Sequence, residues 1–192
     1  EDAFNIEKVT KGFFEKYRDL FLVAKEKLDA IVATDQRINA DFASKGVNTV
    51  DFAKKLLGQI VFLYFLQKKG WFGVERDKTW GDGSKQFLRE LFEGKHGHYP
   101  NFFNDILEPL FYEALRIDRS HDDDYYRLFN CKIPFLNGGL FDPLNNYDWV
   151  HTDILLPNDL FSNTYKTKEG DTGNGILDIF DRYNFTVKED EP

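Results

Sequence analysis

Apolar residues recur at helical spacing through most of the first 118 positions. Phe14, Tyr17, Phe21, Ala24, Leu28 and Ile31 follow one another at intervals of three and four, with Glu15, Lys16, Arg18, Asp19, Lys25, Glu26 and Lys27 around them. This stripe predicts a long amphipathic helix entered at a Thr10 cap. The polar stretch from about 34 to 48, Gly46 included, predicts a connection. The next run differs in kind. Leu56-Leu57-Gly58-Gln59-Ile60-Val61-Phe62-Leu63-Tyr64-Phe65-Leu66 is apolar on every side, which predicts a central helix with neighbours all round. Asn48 or Thr49 caps its start. Lys68 and Lys69 fill its last turn, and Gly70 takes the left-handed stop position. Gly58 costs about 1 kcal/mol relative to Ala in a helix, so it predicts a close helix crossing at that point.

Shorter apolar groups follow. Phe87, Leu88, Leu91 and Phe92 predict a helix from a Ser84 cap to Gly94, and Phe102, Phe103, Ile106 and Leu107 another from Asn101. Pro109 predicts a kink or restart before Leu110. From His121 the texture changes to turns with apolar anchors, as in Ile133-Pro134-Phe135-Leu136-Asn137-Gly138-Gly139-Leu140-Phe141-Asp142-Pro143. One last helix is expected over 176–183, leading into extended Phe185-Thr186-Val187. No period-2 alternation or internal repeat is evident. The fold class is therefore mainly α: a single irregular helical domain over 1–192, helical to about 118, then loop-rich with long Pro/Gly-punctuated loops and few or no strands.

Composition adds limits. The 192 residues include 20 Phe, about one in ten against a usual few per cent. Such a chain has ample apolar surface for a core, which excludes disorder. The apolar run from Ile60 to Leu66 is far short of the ~20 residues of a membrane span. One cysteine, Cys131, cannot form an internal disulfide and suits a reducing cytoplasm as a small buried apolar residue. The chain starts at Glu1 with no signal segment and ends after Lys188-Glu189-Asp190-Glu191, which reads as a piece of a longer protein. The formal charge of −8 is uneven: residues 1–95 hold 17 Lys+Arg against 15 Asp+Glu, and residues 96–192 hold 8 against 18. A dedicated nucleic-acid domain would carry a strong basic excess, but one basic stripe in the first half remains compatible with these figures.

Candidate chemistry is sparse. Glu93-Gly94-Lys95 has the acid-x-lysine order of a metal nuclease, but lies at a predicted helix end. Gly170-Asp171-Thr172-Gly173-Asn174-Gly175 lacks the apolar strand that should precede a cofactor loop, and Asp142-Pro143-Leu144 lacks the second proline and the aromatic of a base-holding element. His96, His98, His121 and His151 with Asp153 lack the spacing of a zinc site, and Asp122 to Asp124 offer at most unspecific divalent binding. No catalytic, cofactor or metal residue is assigned. What remains is basic and aromatic: Lys54, Lys55, Lys68, Lys69 and Trp71, with Gln67, Lys85 and Arg89 near them in sequence. Lysines can bond phosphate oxygens and an exposed Trp can stack on a base, although lysines at a helix C-terminus also simply complement its dipole.

Four phrases carry a resemblance when taken in order. They are Leu56 through Trp71; Phe102-Phe103 with Leu107-Glu108-Pro109-Leu110-Phe111; Ile133 through Phe141; and Phe180-Asp181-Arg182-Tyr183-Asn184-Phe185-Thr186-Val187. Together they resemble the helical segment that precedes the methyltransferase domain in fused type II (type IIG) restriction-modification enzymes and related adenine-specific DNA methyltransferases. The resemblance covers roughly 9–187. It implies a non-catalytic connector that braces an adjoining methyltransferase domain in the same chain and contacts double-stranded DNA. It further implies S-adenosylmethionine as the parent's cofactor, and Mg²⁺ where an endonuclease is fused. The cofactor and catalytic elements would lie C-terminal to these residues. A stand-alone helical protein-interaction module, using the aromatic excess as a partner surface, is the alternative.

Overall fold

A computed structural model describes residues 2–183 and 185, and it is mainly helical. Helix α1 runs over Asp2–Thr34, α2 over Gln36–Lys45, α3 over Thr49–Lys68, α4 over Phe87–Phe92 and α5 over Ile176–Asp181. Strands β1 (Tyr125–Tyr126) and β2 (Cys131–Lys132) form a two-residue antiparallel pair, extended by one bridge from Val74 to Lys132.

α1 passes straight through Thr10, so that residue is not its cap. The inward stripe is the expected one apart from its first residue: Tyr17, Phe21, Ala24, Leu28 and Ile31 pack on the core together with Phe13 and Leu20, while Phe14 is 62% exposed. The stretch expected as a connection holds α2. Asp35 Oδ1 accepts the N–H groups of Arg37 (3.0 Å) and Ile38 (3.1 Å), Ile38 and Phe42 are buried one turn apart, and Gly46 ends the helix at φ +66°. All three signals stand in the sequence; two apolar anchors among polar neighbours were too few to outweigh the polarity.

Asn48 caps α3 as expected, its Oδ1 accepting the Asp51 N–H at 2.8 Å. The C-terminus is a Schellman turn: the Gly70 N–H donates to Gln67 O (2.9 Å) and the Trp71 N–H to Leu66 O (3.3 Å), with Gly70 at φ +75°. Leu56, Leu57, Ile60, Leu63, Tyr64 and Leu66 are buried, but α3 is not enclosed on all sides. Lys54, Gly58 and Phe62 lie on an open face, Phe62 being 38% exposed. A Cβ placed on Gly58 would meet nothing within 4 Å, so the glycine marks no helix crossing.

The phenylalanine-rich segment after Asn101 neither kinks apart nor restarts at Pro109. It continues through the proline in wide π register, over Phe103–Leu107 and Leu110–Ala114, with Pro109 itself helical at φ −60° and ψ −38°. The Leu115 N–H bonds five residues back to Leu110 O (2.9 Å). The wider turn accommodates a residue that breaks the α ladder. Phe102, Phe103, Phe111, Phe161 and Phe180 fill the interior together with Phe141, which anchors the 133–141 loop against Phe62 and Phe111. The expected final helix is α5, shorter by two residues than anticipated. Phe185 is buried against Tyr64 and Phe65, and the extended course expected for Thr186 and Val187 lies outside the described residues. No helix among the described residues is long and apolar enough to cross a membrane.

Candidate nucleic-acid interface

The C-terminal end of α3 is built by the chain doubling back on it. After the Schellman turn, residues 71–86 loop out and return to α4. The Gly70 carbonyl holds the return, accepting the N–H groups of Gly81 (3.1 Å) and Gly83 (2.8 Å). Two glycines make this approach possible. A Cβ on Gly70 would sit 2.3 Å from Gly81 O, and one on Gly83 2.0 Å from Phe72 O. The result brings Lys85, from the returning arm of the loop, to the same cleft as Lys68 from the last turn of α3.

Gln67 is buried rather than part of a basic surface. Its Oε1 accepts the Leu88 N–H at 2.7 Å, serving α4 as an N-terminal cap supplied by another helix. Arg89 is likewise committed inward. Its Nε donates to Asp181 Oδ2 (3.0 Å), its Nη1 to Ser162 Oγ (2.7 Å) and its Nη2 to Asp178 Oδ1 (3.0 Å). Asp181 Oδ1 accepts the Tyr64 hydroxyl at 2.6 Å, and Asp178 Oδ2 accepts the N–H groups of Asn163 (2.9 Å) and Gly175 (3.0 Å). Burial pushes the Asp178 carboxyl upward, but these donors together hold it below its ordinary value. This cluster fastens α5 to α3 and α4.

The five residues singled out in the sequence fall into two groups. Lys54 and Lys55 stand near the start of α3; Lys68, Lys69 and Trp71 stand at its end. Fourteen residues separate Lys54 from Lys68, about 21 Å along the axis and about 40° around it. Lys54, Lys68 and Lys69 are exposed, and Trp71 is 37% exposed. Lys55 is half-buried beside Phe52, Leu56 and Gln59, and desolvation lowers its pKa while Asp142 opposes that shift. The structure therefore gives one helix with a cation cluster at each end, not a compact basic patch. Lys85 belongs to the second cluster in space, which only the fold of the 71–86 loop reveals.

The remaining candidates have structural roles. Glu93-Gly94-Lys95 is the C-terminal stop of α4: Gly94 sits at φ +80°, and the Lys95 N–H donates to Glu90 O at 3.0 Å. Gly170 turns the loop closed by the Lys166–Thr172 bridge, and Gly173 and Gly175 lead from it into α5, with no buried strand before them. His96 pairs with Glu90 (2.9 Å), and His151 with Asp148 (3.0 Å) rather than with Asp153. Asp122 takes Arg76 (2.9 Å). No group of three His, Cys, Asp or Glu side chains suited to a metal ion occurs among the described residues. Cys131 is buried, and that burial pushes its thiol up to about 12, so it behaves as the apolar residue expected.

One carboxyl escaped the sequence reading. Glu108 is 0% exposed, between Leu107 and Pro109 in the π-helical segment. The Tyr147 hydroxyl donates to its Oε2 (2.8 Å), the Tyr112 and Tyr147 hydroxyls bond at 2.7 Å, and Oε1 has no hydrogen-bond partner. Desolvation raises the Glu108 pKa to about 9, outweighing the Tyr147 bond. It is a neutral group at physiological pH, tying the 144–149 segment to the helical core. Comparison with known proteins finds no matching family model, curated relative or solved structure.

Proposed function

We propose that this domain is a non-catalytic helical connector of a type II restriction-modification enzyme. In this reading the parent is an S-adenosylmethionine-dependent, adenine-specific DNA methyltransferase, with or without a fused endonuclease that would use Mg²⁺. The connector braces the methyltransferase domain and contacts duplex DNA through the cationic ends of α3; the parent flips an adenine from the duplex for methylation. It acts in the cytoplasm.

The supporting observation is the convergence of the four phrases on one helix. The first is α3 itself with its stop. The third docks on it through Gln59 Nε2 donating to Leu140 O (3.0 Å) and through Phe62 against Phe141. The fourth docks through Tyr64 against Phe180 and through the Tyr64–Asp181 hydrogen bond. The second reaches the same core through Phe111 against Phe141. Segments far apart in the chain thus form one continuous packing unit, as a rigid brace requires. The two lysine clusters, about 21 Å apart, would reach phosphates about six base steps apart at 3.4 Å per step.

Fluorescence anisotropy of a labelled duplex against salt tests the DNA contact. Changing Lys54 and Lys55 together, or Lys68 and Lys69 together, to Ala should weaken binding and flatten its salt dependence. Calorimetry with S-adenosylmethionine tests the other half of the reading, since appreciable affinity of this domain for the cofactor would contradict a connector. A protein-interaction module is the second reading, favoured by the exposed Phe14, Leu22 and Val23 on α1.

A further inference from the structure

The cleft between the end of α3, the 84–86 turn and α5 has a volume of about 280 Å³. Lys68 and Lys85 both line it, and neither ammonium has an ion pair among the described residues. Tyr64, Phe180 and Phe185 back it as buried rings packed on one another, and Tyr183 beside them is partly exposed. Arg89 and Asp181 also line it, but they are bonded to each other at 2.9 Å, and Asp181 spends its other oxygen on Tyr64. Arg89 offsets part of the Asp181 charge, and the two lysines add two positive charges with their hydrogen-bonding capacity unspent. In a chain of charge −8, two unpaired cations facing one cleft concentrate positive potential where an anion can join them.

We infer that this cleft is a phosphate seat, in which Lys68 and Lys85 clamp the phosphate of a nucleotide unit. Lysine ammonium groups suit phosphate oxygens as point charges. The cleft is of nucleotide size rather than the size of a bare ion. The inference rests on the proposed DNA contact only for the source of the phosphate. In a duplex the group is a backbone phosphodiester; the same chemistry would hold a free mononucleotide.

The experiment uses the whole 192-residue chain. Anisotropy of a fluorescein-labelled duplex against salt is compared with calorimetric titration of deoxyadenosine monophosphate and of inorganic phosphate. The variants are Lys68→Ala with Lys85→Ala, the charge-preserving Lys85→Arg, and Lys54→Ala, with circular dichroism confirming the fold of each. The expected result is a loss of at least about tenfold in duplex affinity for the double variant, with the salt slope reduced by about one, because the two lysines share one phosphate. Lys85→Arg should retain binding. If the chain ignores duplex but binds the mononucleotide or phosphate, and the double variant loses that binding, the phosphate seat stands and the DNA reading fails. If duplex binding survives the double variant unchanged, the seat is refuted and the DNA reading stands. If no probe binds, both fall.

Discussion

Glu108 makes the domain's stability pH-dependent through the neutral range. Its folded pKa, raised to about 9 by burial, lies far above the unfolded value near 4.5. Between those values the unfolded chain releases a proton that the folded chain keeps, so this contribution to stability is complete below about pH 4.5 and is lost as pH rises toward 9. The slope in that window approaches about 1.4 kcal/mol per pH unit. Glu108→Gln removes the ionisable group while leaving an oxygen for the Tyr147 hydroxyl. Urea unfolding at about pH 5.5, 7 and 8.5 should show wild-type stability falling across the series and a flatter profile for the variant. Equal slopes for the two proteins would contradict a buried neutral Glu108. Gly58 makes the opposite kind of site, helical and exposed, with open space where a methyl group would stand. Gly58→Ala should stabilise the chain by about 1 kcal/mol, measured as a shift of the urea midpoint at constant m.

At the scale of elements, short helices here depend on partners supplied from elsewhere. α4 has six residues and takes its N-terminal hydrogen bond from Gln67 of α3. Gln67→Ala should leave the Leu88 N–H buried and unpaired, costing roughly 1–3 kcal/mol in urea unfolding. Hydrogen exchange should show that loss concentrated in residues 84–93; an unchanged exchange rate at Leu88 would refute the cap. The same dependence explains what could be anticipated from the sequence. α3 was legible because it is long, capped by Asn48 and stopped by Gly70. The 133–141 turns were legible from Pro134, Gly138 and Gly139. α2 was not, because Ile38 and Phe42 are its only large buried side chains. The continuous course through Pro109 was hidden because π register leaves no simple spacing. The Lys68–Lys85 cleft was hidden because it depends on Gly70 and Gly83 letting a loop close on α3, a tertiary event that local spacing does not encode.

For the molecule as a whole, charge and packing divide the work. The near-neutral first half supplies α3 and its two cation clusters, whereas the acidic second half packs loops onto α3 through Leu140, Phe141, Phe180 and Asp181. DNA should be held by cations of the first half only. The Arg89 cluster is then a brace rather than a contact, and Arg89→Ala should cost roughly 2 kcal/mol of stability through the loss of charged hydrogen bonds. The most direct test of the account is the salt dependence of duplex affinity for the wild-type chain and for the Lys68→Ala, Lys69→Ala pair. The account predicts that log affinity falls linearly with log salt for the wild type, and that the paired variant binds more weakly with a shallower slope. No measurable duplex binding, or a variant that binds like the wild type at every salt concentration, would contradict it.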